Sequence, residues 1–398
     1  MTSKERHEAR YQRRRAERER KKRERSPGAY DFDKVFTFAH MYRSAMKCYR
    51  GVSWKASVQA YKCRSGINVA RKVRQIREGD FRFRPMPSFI RRERGRERPI
   101  NSIHIEDRVP QKCLSLYALK PVLHRGLLWD NYASQDNKGT SRARARLKCM
   151  LERHIRRHGT DGGMIVFDFS RFFDSIRHDL IREVLEKQFD DGRIVEMNMH
   201  IVRTPGVCLG KTKKQRFAER GGGVGIVLGS ENSQDFAISV PSAFDHLVKD
   251  ALRAEGYGRY MDDGWIIDAD MNKLTRIFAS IKEKAAELGF KLNEKKSRII
   301  RFGEPFEMLK RKYSFTPSGG IVLRPVRESA IRERRKLKRI YRRTVKGTMP
   351  TGTGRDSLTA WEASVADSRA HRAVQSMRRL YNRLFLNYEL SGGRKCTS

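Results

Sequence analysis

No apolar run in this chain approaches the roughly 20 residues that span a bilayer, and the N-terminus is rich in arginine and glutamate where a signal peptide would be apolar. Membrane and secreted classes are therefore not expected, and a cytoplasmic location is. Cysteine is scarce. The six present, at 48, 63, 113, 149, 208 and 396, form no Cys-x-x-Cys pair, which argues against a zinc ribbon or a disulfide framework. There is no internal repeat and no proline-rich or Gln/Asn-rich tract. Acidic residues are outnumbered, 46 Asp+Glu against 87 Lys+Arg, leaving a formal net charge of +41 on 398 residues. Such a chain repels itself unless a polyanion offsets the charge, so nucleic acid is the expected partner before any motif is read. Apolar residues make up 38%, low but sufficient for a core, and the length implies more than one small domain.

Charge is unevenly spread. Residues 1–29 read as a basic arm: positions 1–26 carry 12 Lys/Arg and 5 Asp/Glu, and Ser26-Pro27-Gly28 closes the stretch. From Tyr30 to about 160, helical patterns alternate with Arg-rich stretches, and Phe81-Arg82-Phe83-Arg84-Pro85 has the period of a strand. Residues 161–305 hold apolar strand candidates, Gly-rich turns and most acidic clusters. Beyond 306 the charge rises again, with ten basic and two acidic groups in 324–343.

Two acidic motifs stand out. In Met164-Ile165-Val166-Phe167-Asp168 an apolar run delivers an aspartate at its end, which alone is often only a helix cap. The second, Gly258-Arg259-Tyr260-Met261-Asp262-Asp263-Gly264-Trp265, reads as strand, tight turn, strand. Adjacent carboxylates in such a turn repel one another unless a cation sits there.

These residues resemble a family. Tyr260-Met261-Asp262-Asp263 matches the Tyr-x-Asp-Asp box of reverse transcriptases, and Phe167-Asp168-Phe169-Ser170-Arg171-Phe172-Phe173-Asp174 is similar to their first palm motif. The resemblance runs in order over roughly residues 90–325: Arg98-Pro99-Ile100 and Asp107-Arg108-Val109-Pro110-Gln111 in the fingers; Asn131-Tyr132-Ala133 and Lys138-Gly139-Thr140 before the palm; Gly225-Ile226-Val227-Leu228-Gly229-Ser230-Glu231-Asn232-Ser233-Gln234; Leu292-Asn293-Glu294-Lys295-Lys296-Ser297; and Phe306-Glu307-Met308-Leu309-Lys310, similar to the primer grip. Val227-Leu228-Gly229 replaces the Pro-Gln-Gly usual in retroviral and group II intron enzymes, and looks more like diversity-generating retroelements and related bacterial or phage enzymes.

The resemblance implies an α+β right-hand polymerase fold: fingers over 30–160, a palm of antiparallel sheet backed by helices over 161–305, and a primer grip with helical thumb over 306–398. It implies two Mg²⁺ ions, with Mn²⁺ as a substitute, held by Asp168, Asp262, Asp263 and the Phe169 carbonyl, with Lys296 as general acid and Lys295 its equally exposed neighbour. Arg98 and Arg108 are implied to clamp the incoming dNTP, where a forked guanidinium suits phosphate. Phe173 would close against the sugar 2′ position, Leu228 and Gly229 would border the nucleotide, and Tyr260, Met261, Gln234, Leu309 and Lys310 would face primer or template. Lys310 stands where relatives commonly carry glycine. Template RNA and nascent cDNA are the implied partners, alongside a dedicated non-coding RNA or small accessory protein in a bacterial or phage-encoded system. Defence-associated synthesis with unusual priming, a viral RNA polymerase and a non-catalytic RNA-binding platform remain open alternatives.

Three further expectations come from spacing. Leu274, Ile277, Phe278, Ile281, Ala285 and Leu288 mark a helix that stops at Gly289. Tyr341, Trp361 and Leu380 are expected apolar anchors of the C-terminal helices. His154 and His158 share a helical face, where exposure or phosphate contact is expected rather than zinc, and Gly221-Gly222-Gly223, following Lys211, Lys213, Lys214 and Arg216, reads as a flexible basic loop and not a P-loop.

Overall fold

The computed structural model describes residues 8–9, 11–13, 30–93, 96–204, 206–208, 222–316 and 318–386. Most of the basic arm and the lysines near 211–216 lie outside them. Helices and mostly antiparallel sheets make an α+β protein of two compact units.

The first unit gathers Met1–Trp129, Arg171–Asp245 and Lys284–Lys291. Its helix Phe38–Tyr49 starts where Thr37 Oγ1 accepts the His40 N–H at 3.2 Å, and it buries Met41, Ala45, Cys48 and Tyr49, the spacing of one helical face. That helix packs on Ser65–Arg77 and Ile105–Leu114. Strands β1 (Met86–Glu93) and β2 (Arg96–Asn101) pair antiparallel, Arg91 opposite Arg98, and β4 (Gly206–Cys208) joins β1 in parallel. The strand expected at Phe81–Pro85 is not one. Phe81 and Phe83 are buried, their rings 4.8 Å apart, so the alternation is real, but ladder pairing begins only at Met86. Helix Glu231–Ser239 buries Asn232, Ser233 and Asp235 and packs on Ile105–Leu114. Such polar burial holds because each charge is answered: Asp235 accepts from Ser115 Oγ at 2.6 Å and meets His124 at 3.2 Å, while Glu231 sits between Lys112 and Lys120 at 2.7 and 2.9 Å.

The second unit comprises Asp130–Ser170, His246–Glu283 and Leu292–Ser398. Its centre is an antiparallel four-stranded sheet in the order β5 (Gly256–Tyr260), β6 (Asp263–Asp268), β3 (Gly163–Asp168), β7 (Arg298–Arg301). All six residues of β3 are buried, as its unbroken apolar run requires. Helix Thr140–His158 supplies Leu147, Met150 and Leu151 to a core with Met164, Val166, Trp265 and Ile267. A second antiparallel sheet, β8 (Phe306–Met308), β9 (Arg311–Phe315) and β10 (Ile321–Pro325), feeds the same core, where the Phe306 and Tyr313 rings stack at 4.9 Å.

Helix Met271–Glu287 forms as its spacing predicts, with Leu274, Ile277, Ile281 and Ala285 buried and Gly289 just beyond it at φ +78°. Helices Arg327–Val345, Thr353–Val365 and His371–Tyr381 enclose their own core around Leu337, Trp361, Met377 and Phe385, with Tyr341 and Leu380 packed on it. Asp367 ties this helical group to the sheets: Arg144 Nε donates to it at 2.5 Å and Arg311 Nε at 2.9 Å, both arginines being buried. His154 corrects an expectation, being buried at 1% exposure rather than facing solvent.

Candidate active site

Asp168 ends β3 and pairs with Asp263, the first residue of β6. Asp262 lies in the two-residue turn between β5 and β6, so one strand end and one hairpin tip bring three carboxylates to the same edge of the sheet. Met261, the first residue of that turn, has φ +55°, a left-handed conformation that a side chain adopts only under strain. Tight hairpins need this geometry to match strand twist. Arg259 supports it: the side chain is fully buried in β5, and Nη1 donates to the Met261 carbonyl at 3.0 Å. Arg259 is bracketed from outside the sheet, its N–H donating to Asp130 O and its carbonyl accepting from Tyr132 N, both at 3.0 Å. Across from the turn, Phe169 N–H donates to Asp262 O at 3.0 Å. Glycine is required at 264, where a Cβ would lie 2.2 Å from the Phe167 ring; only its absence lets that ring pack beside the carboxylates.

Asp168 is held from four directions. Lys296 Nζ reaches Oδ2 at 2.5 Å, Asn293 Nδ2 donates to Oδ1 at 3.1 Å, Asn293 N–H donates to the Asp168 carbonyl at 2.7 Å, and the Asp168 N–H donates to Ser297 Oγ at 3.2 Å. Lys296 rather than Lys295 is thus the lysine on the carboxylate. Asp263 shows what the cluster costs: burial, then the Asp262 charge, then Asp168, push its carboxyl up to about 7, against a smaller downward pull from Lys296. Asp168 and Asp263 open on a cavity of about 510 Å³, also lined by Lys296, Phe306, Met308 and Lys312.

The remaining sequence-derived residues distribute as follows. Tyr260 is half-buried at the end of β5. Leu309 and Lys310 form the two-residue turn between β8 and β9, Leu309 buried and Lys310 exposed, at φ +48° and +63°. In the first unit, Arg108 is exposed on helix Ile105–Leu114, and Arg98 lies in β2 with its side chain outside the described residues. Phe172, not Phe173, is the core ring, packed against Phe290 at 5.4 Å; Phe173 is half-buried, edge-on to it at 5.7 Å. Leu228 is half-buried, its carbonyl accepting from Asn101 N–H at 2.9 Å, and Gln234 is half-buried on helix Glu231–Ser239. Gly229, at φ +124°, leaves no space for a Cβ, which would meet Asn101 O at 2.4 Å. That close approach is therefore to β2 within the protein.

Sequence reasoning quoted Asn293, Ser297 and Arg259 inside motifs without giving them a role, and it missed Asp130. An arginine one position before the end of a short strand of glycine and tyrosine was the available signal for Arg259, because a fully buried guanidinium must find acceptors.

Carboxylates from adjacent antiparallel strands, with a lysine on one and a raised pKa on another, define a site poised for cations and phosphoryl chemistry. Residues 90–327 match the family described as reverse transcriptase (RNA-dependent DNA polymerase), and the chain belongs to that family. No curated protein matches the sequence. Among solved structures, apo telomerase from Candida tropicalis truncated from its C-terminal domain aligns with a TM-score of 0.45 at 13% identity, over 61% of this chain and 55% of that one. The chain thus spans little more than half the length of that relative. Among the described residues no helix is long and apolar enough to cross a membrane.

Proposed function

We propose that this chain is an RNA-directed DNA polymerase that copies a template RNA into cDNA from dNTPs, with a basic arm over 1–29, fingers over 30–160, a palm over 161–305 and a primer grip with helical thumb over 306–398. The observation that carries this reading is the pairing of Asp168 with Asp263 beside Asp262, in a chain of the reverse transcriptase family. The donor set is hard oxygen throughout, and an aspartate pushed up to about 7 by burial and then by the neighbouring Asp262 and Asp168 is an aspartate that gains from divalent positive charge. The residues fit Mg²⁺, with Mn²⁺ as a substitute: Asp168, Asp262, Asp263 and the Phe169 carbonyl would hold two ions. When bound, such ions stabilise charge on the attacking and leaving oxygens of an in-line displacement.

The chain's own groups do the rest. Asn293 and Ser297 fix Asp168, and Arg259 fixes the Met261–Asp262 turn, so the carboxylates are set before substrate arrives. Lys296 holds a proton within 2.5 Å of Asp168 and is the general acid for the departing pyrophosphate. Arg98 and Arg108 clamp the triphosphate, and the half-buried Phe173 bars a 2′-hydroxyl by bulk. Leu228 offers the nucleotide contact area without a hydrogen bond, and Gly229 borders it. Tyr260, Met261, Gln234, Leu309 and Lys310 face primer or template. Support for the grip comes from the cavity that Phe306, Met308 and Lys312 share with Asp168 and Asp263.

The Val227-Leu228-Gly229 motif favours a bacterial or phage retroelement, acting in the cytoplasm with a dedicated RNA or small accessory protein. The test is Asp262→Asn, which should abolish Mg²⁺-dependent dNTP incorporation on a primed RNA template while the far-UV circular dichroism stays unchanged. Undiminished synthesis by the pure, folded variant overturns the assignment.

A further inference from the structure

The opposite end of the same sheet carries a second constellation that polymerase chemistry does not use. His154 and His158 occupy the last turns of helix Thr140–His158, and Glu255 immediately precedes β5. Their ligand atoms all lie within 4.8 Å of one another. His154 is buried at 1% exposure, and both of its ring nitrogens face oxygen: Nε2 is 2.8 Å from the Asp161 carbonyl, and Nδ1 is 3.0 Å from a Glu255 carboxylate oxygen. A carbonyl only accepts, so Nε2 carries the proton. Neutral His154 then turns the Nδ1 lone pair directly on a carboxylate, and something positive must lie between them. A second proton on the ring satisfies that requirement, and so does a metal ion.

Three features favour the ion. His158 Nε2 sits 3.5 Å from the other oxygen of the same carboxylate, a second imidazole that a simple ion pair does not need. The Nε2–H bond to a backbone carbonyl is the arrangement that orients a metal-ligating histidine. The three residues also meet at the C-terminus of a 19-residue helix, where the dipole favours a cation.

We propose that His154 Nδ1, His158 Nε2 and the Glu255 carboxylate bind one Zn²⁺, a site of two imidazoles and a carboxylate with the fourth position left to water. This ion is separate from those at Asp168: β3 starts two residues after Asp161 and β5 starts next to Glu255, so about five strand steps, roughly 17 Å, divide the two ends. Bound there, the ion would join the helix terminus to the start of β5, at the end of the sheet away from the carboxylates.

The test uses the full chain, stripped with EDTA, dialysed into millimolar Mg²⁺ to occupy the acidic cluster, and titrated with Zn²⁺ by calorimetry and with Co²⁺ by visible absorption. One equivalent should bind in the presence of Mg²⁺, with a tetrahedral Co²⁺ spectrum. His158→Ala, which removes a ligand exposed enough to leave folding intact, and Glu255→Gln should each lower affinity at least tenfold, on the order of what loss of a ligand-orienting partner alone produces. Absence of a stoichiometric site in the folded parent, or unchanged affinity in His158→Ala, overturns the proposal. So does nitrogen NMR showing His154 with two ring protons in the Zn²⁺-treated protein, which makes the pair an imidazolium–carboxylate bridge.

Discussion

Replacing Asp263 with Asn should stabilise the metal-free protein, and the gain should depend on pH in a way that reports the site's electrostatics. The carboxyl is raised from 3.8 to about 7, first by burial and then by Asp262 and Asp168. Below about pH 4 it is protonated in the folded and unfolded chains alike, and no penalty arises. As the pH climbs from about 4 to 7 the unfolded chain ionises while the folded one keeps its proton, so the penalty grows by about 1.4 kcal/mol per pH unit. Above 7 it is constant. The full shift sets the penalty at about 4 kcal/mol from pH 7 upward, and that is the order of the gain expected for the variant at pH 8. Asparagine keeps the β3–β6 pairing, which uses backbone groups only. Urea unfolding in EDTA at pH 5, 6, 7 and 8 measures the gap between parent and variant. It should widen to pH 7 and then level off, and 10 mM Mg²⁺ should narrow it at pH 8 by stabilising the parent more than the variant, which lacks one ligand. A gap that stays constant with pH refutes the reasoning, since it would mean that Asp263 is ionised in the folded protein across the whole range.

Lys310→Gly should stabilise the protein by about 1 kcal/mol in chemical denaturation, because both residues of the β8–β9 turn are left-handed and neither is glycine. Asp367→Ala should destabilise it by about 3 kcal/mol, since it leaves Arg144 and Arg311 buried without their carboxylate; unfolding midpoints check this. Phe173→Val should admit ribonucleotides in single-nucleotide extension while leaving dNTP incorporation measurable, and an unchanged sugar preference would assign the ring to packing against Phe172 instead.

The acidic edge was legible because its information is local. A strand of β-branched and aromatic residues that is buried throughout reads as an apolar run, and the aspartate closing it can only lie at the sheet's end. The paired carboxylates next to a glycine mark a hairpin tip for the same reason. The buried helix Glu231–Ser239 was legible only as a motif, since its polar residues have no period of their own and are explained by Ser115 and Lys112, far back in the chain. Phe81 and Phe83 show the converse: alternation reports that one side is buried, while a strand also needs a partner, which no local pattern contains. His154 and His158 were placed on one helical face by their spacing, yet the fate of that face was decided by Glu255, 101 residues after His154.

A different kind of illegibility surrounds the turns. Met261, Leu309 and Lys310 all adopt conformations for which glycine or asparagine is the natural choice, so residue propensity argues against the geometry that is present. Local preference was overruled each time by pairing on both sides: Tyr260 with Asp263 around one turn, and Met308 with Arg311 around the other. Four strands with a shared core can hold a strained loop residue at a cost of about 1–2 kcal/mol, and a buried arginine donating to the Met261 carbonyl adds to the hold. Both strained turns border the cavity that contains Asp168 and Asp263, through Asp263 on one side and Met308 on the other. A glycine at either position would relieve the backbone and also free it to move. The side chains present make the turns stiffer than their ideal counterparts, and stiffness is what three mutually repelling carboxylates need if they are to stand ready for a metal.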